Sequence, residues 1–163
     1  MKTRQLSVFV SNRVGRLAGV TRVLRDNGIS IRALSMADAP DFGIFRLIVE
    51  DVDRATRALK TEGYVTDVTD VIAVEVADRP GGLADVLDVF SRKGLNVEYM
   101  YAFLTQPAGS APRAIIFFRF EDTDAALRVL AEAAVTVLAG EALWRLVAGR
   151  GEAGAASAVE ARR

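Results

Sequence analysis

The first 70 residues alternate between strand-like and helix-like hydrophobic patterns. Leu6, Val8 and Val10 alternate with Ser7 and Phe9, which predicts a half-buried strand. A helical stripe follows at Leu17, Val20, Val23 and Leu24. The pattern then predicts strands over 29–37, 42–50 and 64–70 and a helix over 51–62, with a turn at 38–41. The resulting order is βαββαβ.

The remainder of the chain repeats this order. We predict strands over 71–77, 97–105, 114–121 and 135–138, and helices over 82–93 and 122–133. In the first of these helices Leu83, Val86, Leu87 and Phe90 share one face. A short helix over 140–147 closes the copy, and the Ala/Gly/Glu/Arg segment from residue 149 is predicted to be a flexible tail.

The duplication is clearest at a glycine turn. The segment Asn12-Arg13-Val14-Gly15-Arg16-Leu17 is echoed 66 positions later by Asp78-Arg79-Pro80-Gly81-Gly82-Leu83. Further along the chain the offset becomes 71, so the second copy carries a longer loop around 105–112. We therefore predict one domain over 1–70, a second over 71–148, and a tail over 149–163.

A split βαβ unit of this order folds as a four-stranded antiparallel sheet with both helices on one face. The predicted fold class is thus α+β, with two ferredoxin-like βαββαβ sandwiches. The other sheet face is predicted to carry Phe9, Ile116, Phe118 and Phe120. Because such a face is too apolar to remain in water, we predict that it packs against a second sheet in a homodimer.

Composition narrows the functions that this fold could serve. The 163 residues include 21 acidic and 21 basic side chains, so no net charge attracts nucleic acid or an anionic membrane. There is no histidine and no cysteine, which closes the usual routes to imidazole or thiol catalysis and to transition-metal binding. We predict a cytoplasmic protein that is not an enzyme and has no catalytic residue, metal or cofactor.

RNA-recognition modules share the βαββαβ order, and their third-strand motif would fall in the strand predicted at 114–121. The match fails because Ile115 stands where an aromatic residue would stack on a base, and the motif's glycine is missing. Metal-trafficking relatives of the fold need paired cysteines, which are absent. The composition and motifs therefore favour a binding or interaction module.

The turn Asp78-Arg79-Pro80-Gly81-Gly82-Leu83, followed by Lys93-Gly94-Leu95-Asn96-Val97, resembles the motif of ACT domains. These are small modules that sense amino acids and related metabolites, and the resemblance covers about residues 4 to 147 in two copies. The chain is similar to free-standing tandem ACT proteins. The resemblance implies that two ACT-like domains pack side by side into an eight-stranded antiparallel sheet with helices on one face.

The resemblance also implies where a ligand binds. In the family, one wall of the site is the glycine turn of one domain and the other is the second strand of its neighbour. The turn wall here comprises Asn12, Val14, Gly15 and Leu17, or Asp78, Pro80, Gly81, Gly82 and Leu83. The strand wall comprises Ser30, Ile31 and Arg32, or Asn96, Val97, Glu98 and Tyr99.

Physical chemistry offers two interpretations of the turn. Glycine lacks a Cβ, so a carboxylate can approach the amides that begin the helix, or the turn merely links strand to helix. Asp78 either accepts a ligand ammonium or caps the helix. The first copy departs from the motif at Val14 and Arg16. Arg16 is either solvated or paired with an anion.

The second-strand residues are equally open to two interpretations. Asn96 either hydrogen-bonds to the backbone of an amino-acid ligand or forms an Asx turn at the start of the strand. Glu98 either pairs with an amine or an arginine or is solvated. The aromatic stripe of Tyr99, Tyr101 and Phe103 lines a pocket or packs in the core. The loop at 105–112 either covers a site or simply connects two strands.

Two functions remain open. One is a sensor that binds an amino acid or related small metabolite and acts in trans on a partner enzyme or regulator. The other is a ligand-free protein interaction module. Neither nucleic acid nor a membrane is a predicted partner.

Overall fold

The computed structural model describes residues 1–38, 42–105 and 112–148. The chain divides into two compact units. The N-terminal unit is Arg4–Asp70, and the C-terminal unit runs from Val71 onward and includes Met1–Thr3. Most of the predicted turn at 38–41 and of the loop at 105–112, and the whole of the predicted tail, lie outside the described residues.

The N-terminal unit contains β1 (Thr3–Ser11), α1 (Arg16–Asp26), β2 (Ile31–Asp38), β3 (Phe42–Val49), α2 (Val52–Thr61) and the first half of β4 (Val65–Ala77). Its strand order is β2-β3-β1-β4, and β3 runs antiparallel to both β1 and β2. Leu6, Val8 and Val10 of β1 join α1 and α2 in one buried core, as their alternation predicts.

The C-terminal unit repeats this arrangement. It contains the second half of β4, α3 (Gly82–Arg92), β5 (Val97–Thr105), β6 (Arg113–Phe120), α4 (Thr123–Glu132), β7 (Val137–Leu138) and α5 (Gly140–Ala148). The strand order is β5-β6-β4-β7, with antiparallel pairing throughout. The predicted fold of two ferredoxin-like βαββαβ units is confirmed.

Local chemistry accounts for the helix boundaries. Both α2 and α4 begin after an aspartate, Asp51 or Asp122, whose carboxylate accepts from the amide three residues on. Both α1 and α3 are instead preceded by a glycine in the left-handed region. Gly28 and Gly94, also left-handed, follow the ends of α1 and α3, where glycine takes this conformation without steric cost.

Two predicted strands are in fact one. The sequence predicts separate strands over 64–70 and 71–77, whereas Val65–Ala77 forms a single strand, so the described residues contain seven strands rather than eight. The physical reason is that the segment has neither glycine nor proline to break it. The repeat boundary therefore falls inside a strand.

The prediction that Ile116, Phe118 and Phe120 lie on the sheet face away from the helices is wrong. Ile116, Phe118 and Phe120 lie in the core beneath α3 and α4, together with Phe90. Their neighbours Ile115 and Phe117, which point the other way in a pleated strand, are also buried. Because both faces of β6 are apolar, the sequence has no alternation from which to assign a face. Phe9 alone of the four predicted residues is exposed, at 37%.

Exposed apolar side chains lie instead on the outermost strands of the two units. Leu34 and Met36 of β2 stand opposite core residues of β3, which places them on the helix-bearing face. Met100 of β5 stands opposite the core residue Phe118 in the same way. Each unit therefore has an edge strand with exposed apolar side chains.

Within the described residues, no helix is long and apolar enough to cross a bilayer. The predicted cytoplasmic location stays a prediction.

Candidate functional site

The two glycine turns have the same backbone geometry. Gly15 and Gly81 both adopt φ 85° and ψ −12° immediately before α1 and α3. Each turn is closed by a hydrogen bond, from the Arg16 amide to the Arg13 carbonyl at 3.3 Å and from the Gly82 amide to the Arg79 carbonyl at 3.0 Å. Only glycine takes this backbone conformation at low cost. The repeat seen in the sequence is therefore a repeat of three-dimensional structure.

The closing bond leaves other amides available. The amide of Gly82 is engaged within the turn, and that of Asp85 donates to Gly81 at 3.0 Å. Within the described residues, the amides of Gly81, Leu83 and Ala84 have no backbone acceptor. These amides lie at the positive end of α3, where an anion is favoured. The turn can thus offer hydrogen-bond donors to a carboxylate, although not through Gly82.

Gly82 has a packing role of its own. A Cβ at this position would lie 2.2 Å from the carbonyl oxygen of Ala77 and 3.4 Å from Cγ1 of Val76. The first turn of α3 therefore approaches the end of β4 so closely that no side chain fits between them. By contrast, a Cβ on Gly15 would meet nothing within 4 Å, and one on Gly81 only Nη1 of Arg79 at 3.7 Å.

Arg79 is a residue of this turn that the sequence analysis did not single out. Its Nη2 donates to Asp85 at 2.6 Å and its Nη1 to the Pro80 carbonyl at 3.1 Å. The guanidinium therefore lies over the glycine turn. Arg13 occupies the equivalent position in the first copy. An arginine at the same place in both turns is the sequence signal that could have singled out this residue.

Asp78 does not cap α3, because this helix begins without a side-chain cap. It is exposed, and its amide donates to the Pro112 carbonyl at 3.2 Å. One of the two roles considered for Asp78 is thereby removed. Asn12 is likewise exposed and does not cap α1.

Four other predicted residues belong to the turns, and one pair of them differs in burial. Val14 and Pro80, at equivalent positions, are both exposed. Leu17 is 42% exposed at the start of α1, whereas Leu83 is half-buried and packs against the core of its unit. The first turn is therefore the more open and more apolar of the two.

The sequence left open whether Arg16 is solvated or paired with an anion. Its side chain is not simply solvated, because the guanidinium carbon lies 5.8 Å from the centroid of the Tyr64 ring. This distance is within the range of a cation–π interaction.

The second-strand residues lie at the far end of the helices from the turns. Ser30 and Ile31 follow the end of α1, and Asn96 and Val97 follow the end of α3. Each helix has 11 residues, which at 1.5 Å per residue separates its two ends by about 16 Å. A single unit therefore does not bring its own turn and its own strand start together around one small ligand.

Ser30 and Asn96 instead line equivalent hollows beside α2 and α4. The first hollow, of about 150 Å³, is lined by Gly28, Ile29, Ser30, Glu50, Asp51 and Arg54. The second, of about 350 Å³, is lined by Gly94, Leu95, Asn96, Phe120, Glu121, Asp122 and Ala125. In the second hollow the pKa of Asp122 is lowered, chiefly because its carboxylate accepts from the amide of Ala125.

Both edge strands begin with a register irregularity that isolates a charged residue. In β2 the irregularity falls at Arg32, which pairs with Glu50 at 2.6 Å. In β5 it falls at Glu98, which pairs with Arg119 at 3.3 Å. Irregularities of this kind re-aim side chains at sheet edges. The two copies thus present opposite charges at one equivalent position.

The aromatic stripe of β5 contributes to packing. Tyr101 stacks on Phe117 with ring centroids 5.2 Å apart, and Phe117 is buried. Tyr99 and Phe103 are half-buried on the same strand. The structure therefore supports the core interpretation for Tyr101.

A larger groove in the N-terminal unit was not predicted from the sequence. It has a volume of about 370 Å³ and is lined by Gly19, Arg22, Val23, Asp26, Asn27, Glu62 and Tyr64. The Tyr64 hydroxyl crosses Gly19 so closely that a Cβ there would lie 2.3 Å away. No cluster of possible metal ligands occurs among the described residues.

The repeated βαββαβ unit and its glycine turn define a duplicated ferredoxin-like protein. A family model for the ACT domain pair matches residues 1–147, so the chain belongs to that family. The resemblance inferred from the sequence is confirmed.

Among solved structures, the chain is similar to protein BT0572 from Bacteroides thetaiotaomicron. The two are 39% identical with a TM-score of 0.81, covering 90% of this chain and 98% of that one. The fold is also similar to the aspartate kinase regulatory subunit from Thermus flavus, at 20% identity and a TM-score of 0.55, covering 82% and 93%. The corresponding subunit from Thermus thermophilus, in its ligand-free form, is 22% identical with a TM-score of 0.53. The match covers 80% of this chain and 91% of that one. Among curated proteins, none matches the chain.

Proposed function

We propose that this protein is a regulatory sensor that binds an amino acid or a related small carboxylate. The observation that carries the proposal is the repeated glycine turn, with open amides and an arginine beside them. A carboxylate that accepts from the amides of Gly81 and Leu83 would also lie near the guanidinium of Arg79. Backbone amides and an arginine together form charge-assisted hydrogen bonds with such a ligand.

A second copy of the chain supplies the other wall of the proposed site. Each helix, about 16 Å long, separates a turn from the second strand of its own unit. In the family pattern, too, the turn wall and the strand wall of a ligand site come from neighbouring domains. The exposed apolar residues of β2 and β5 support pairing along those edges, because exposed apolar edge strands are sites of association. We therefore infer a homodimer, through the strand edges rather than through the sheet face predicted from sequence.

Regulation by this chain takes place in trans. Ligand binding changes either its own assembly or its docking on a partner enzyme or regulator, because a ligand shifts any equilibrium whose two states it binds unequally. Sedimentation velocity with and without the ligand measures the first of these responses.

A thermal-shift screen of the twenty amino acids tests the sensor. A ligand present at 100 times its dissociation constant stabilises the folded state by about 2.7 kcal/mol. If none of the twenty shifts the melting temperature, and calorimetry detects no binding, the ligand-free interaction module is the better account.

Matched variants locate the site. Arg79→Gln removes the cation beside the second turn, and a hydrogen bond to a charged group contributes about 1.5 to 3 kcal/mol. We expect affinity to fall by at least tenfold. The control is Arg145→Gln, which also removes an exposed arginine paired with a carboxylate, Glu141 at 3.0 Å. Equal affinity of the Arg79→Gln variant and the control would exclude this turn as the carboxylate site.

A further inference from the structure

The groove beside α1 in the N-terminal unit is built around one close contact. Tyr64 packs against the core of this unit, and Arg16 lies over its ring. The hydroxyl of Tyr64 is thereby held above Gly19, where a Cβ would lie only 2.3 Å from its oxygen. From this contact the groove runs along α1 to Asn27. It begins beyond the Gly15 turn, so it is a separate surface of the unit.

The second copy of the fold does not repeat the residues that form this groove. At offsets of 66 and 71, Gly19, Arg22, Glu62 and Tyr64 correspond to Asp85, Asp88, Ala133 and Val135. Both copies nevertheless form the same arrangement of helices and strands. The fold therefore does not require the groove, and its polar residues are available for binding.

The charged side chains that line the groove are not engaged by the rest of the unit. With partners in the described part of the chain, the side chains of Arg22 and Glu62 and the hydroxyl of Tyr64 form no hydrogen bond or ion pair. Asp26 pairs with Arg25, its neighbour in the chain, at 2.8 Å, and both side chains are exposed. An exposed pair of this kind contributes little to stability, so it competes weakly with a ligand.

The groove presents its charges in the order acid, base, acid. Tyr64 lies over Gly19, which places Glu62 at that end of the groove. Arg22 follows about one turn further along α1, and Asp26 about one turn beyond Arg22. About 10 Å separates Gly19 from Asp26 along the helix axis. A ligand that pairs with all three charged groups therefore carries one carboxylate and two cationic groups.

A basic amino acid has this set of groups: an α-carboxylate, an α-ammonium and a side-chain ammonium or guanidinium. We propose that the groove binds a basic amino acid, with its carboxylate on Arg22 and its cationic groups on Glu62 and Asp26. The groove volume of about 370 Å³ falls within the range of small-molecule sites, about 300 to 1,000 Å³. All of these residues belong to the N-terminal unit, so the site needs no second copy of the chain.

Ligand analogues test the chemical class by isothermal titration calorimetry of the full chain with L-lysine and L-arginine. L-norleucine lacks the side-chain ammonium of lysine, and cadaverine lacks its carboxylate. L-citrulline and agmatine are the corresponding analogues of arginine. We expect each analogue to bind about tenfold or more weakly than its parent, because it leaves a charged group of the groove without a partner.

Matched variants locate the site. Arg22→Gln and Glu62→Gln each retain a polar side chain and remove one charge from the groove. Each should weaken the binding of the basic amino acid by about tenfold. The control is Arg92→Gln, which removes an exposed arginine from α3 of the other unit and should bind as wild type does. Circular dichroism checks that each of these exposed substitutions leaves the fold intact.

The outcomes distinguish this groove from the glycine turn. Binding that depends on Arg22 and Glu62 but not on Arg79 supports the groove, whatever the turn binds. If L-lysine and L-arginine produce neither heat nor a shift in melting temperature at millimolar concentrations, the groove proposal is wrong, and the turn can still bind another carboxylate. Binding that is lost in Arg79→Gln but unchanged in the two groove variants assigns the ligand to the turn and overturns the groove. Equal affinity for L-lysine and L-norleucine also overturns it.

Discussion

Replacing Gly82 with alanine tests the steric account of the second glycine turn. The new methyl group would lie 2.2 Å from the carbonyl oxygen of Ala77 and 3.3 Å from its carbonyl carbon. These are backbone atoms at the end of β4, so they cannot rotate away as a flexible side chain would. Either the first turn of α3 or the end of β4 must move.

Overpacking of this kind costs about 1 to 3 kcal/mol. Alanine has a higher helix propensity than glycine, by up to about 1 kcal/mol in a helix interior, but Gly82 is the first helical residue and gains less. We therefore expect a net loss of about 1 to 3 kcal/mol in the free energy of unfolding.

Urea unfolding measures this loss. Trp144 is the only tryptophan and lies in α5 of the same unit, so its fluorescence reports on the unit that carries Gly82. With a denaturant slope of about 2 kcal/mol per molar, a 2 kcal/mol loss lowers the midpoint by about 1 M.

The matched control is Arg16→Ala, at the equivalent position of the first copy, where a side chain is already accommodated. It removes only the contact with Tyr64, which contributes about 0.5 to 1 kcal/mol. An unchanged midpoint for Gly82→Ala would refute the close approach of α3 to β4. Gly82 would then have no packing role, and the pattern of glycines would need another explanation.

Three further predictions concern stability. Phe90→Ala should cost about 3 to 5 kcal/mol by calorimetry, because this buried ring packs edge to face against two phenylalanines at 5.1 and 5.2 Å; a loss below 1 kcal/mol would contradict that packing. Asp51→Ala should cost about 0.5 to 2 kcal/mol in urea unfolding through loss of the α2 cap, whereas Asp51→Asn should retain most of it. The folded-state pKa of Asp122 is lowered, so its charge stabilises the fold above the unfolded pKa of about 3.9, and this stability is lost as pH falls further. The advantage of wild type over Asp122→Asn should therefore shrink between pH 6 and pH 3, and a constant difference would argue against the shift.

Much of the fold was available from local pattern. The order of helices and strands follows from the alternation of Leu6, Val8 and Val10 and from the helical stripes, because one face of each element must be buried. The glycines at 15, 28, 81 and 94 stand out in the repeated sequence, and the structure places all four in the left-handed region, which few other residues tolerate. These properties depend on a few neighbouring residues, so they can be predicted from the sequence alone.

Other features depended on how the strands and helices pack in three dimensions. The face of β6 was misassigned because Ile115 to Phe118 are all apolar, and only packing beneath α3 and α4 decides which of them meet the helices. The role of Gly82 depends on its approach to Ala77, a separation that no local pattern encodes. The hydrogen bond from Arg79 to Asp85 holds the guanidinium of Arg79 over the turn.

The family, the duplication and the turns on which the proposed site depends could all be inferred from the amino-acid sequence, because each is a local or repeated motif. Tertiary structure decided which amides remain open, which faces are buried and where exposed apolar residues lie. The physical reason is that hydrogen-bond occupancy and burial are set by the atoms that surround a residue in the folded protein, and those neighbours depend on how the elements pack.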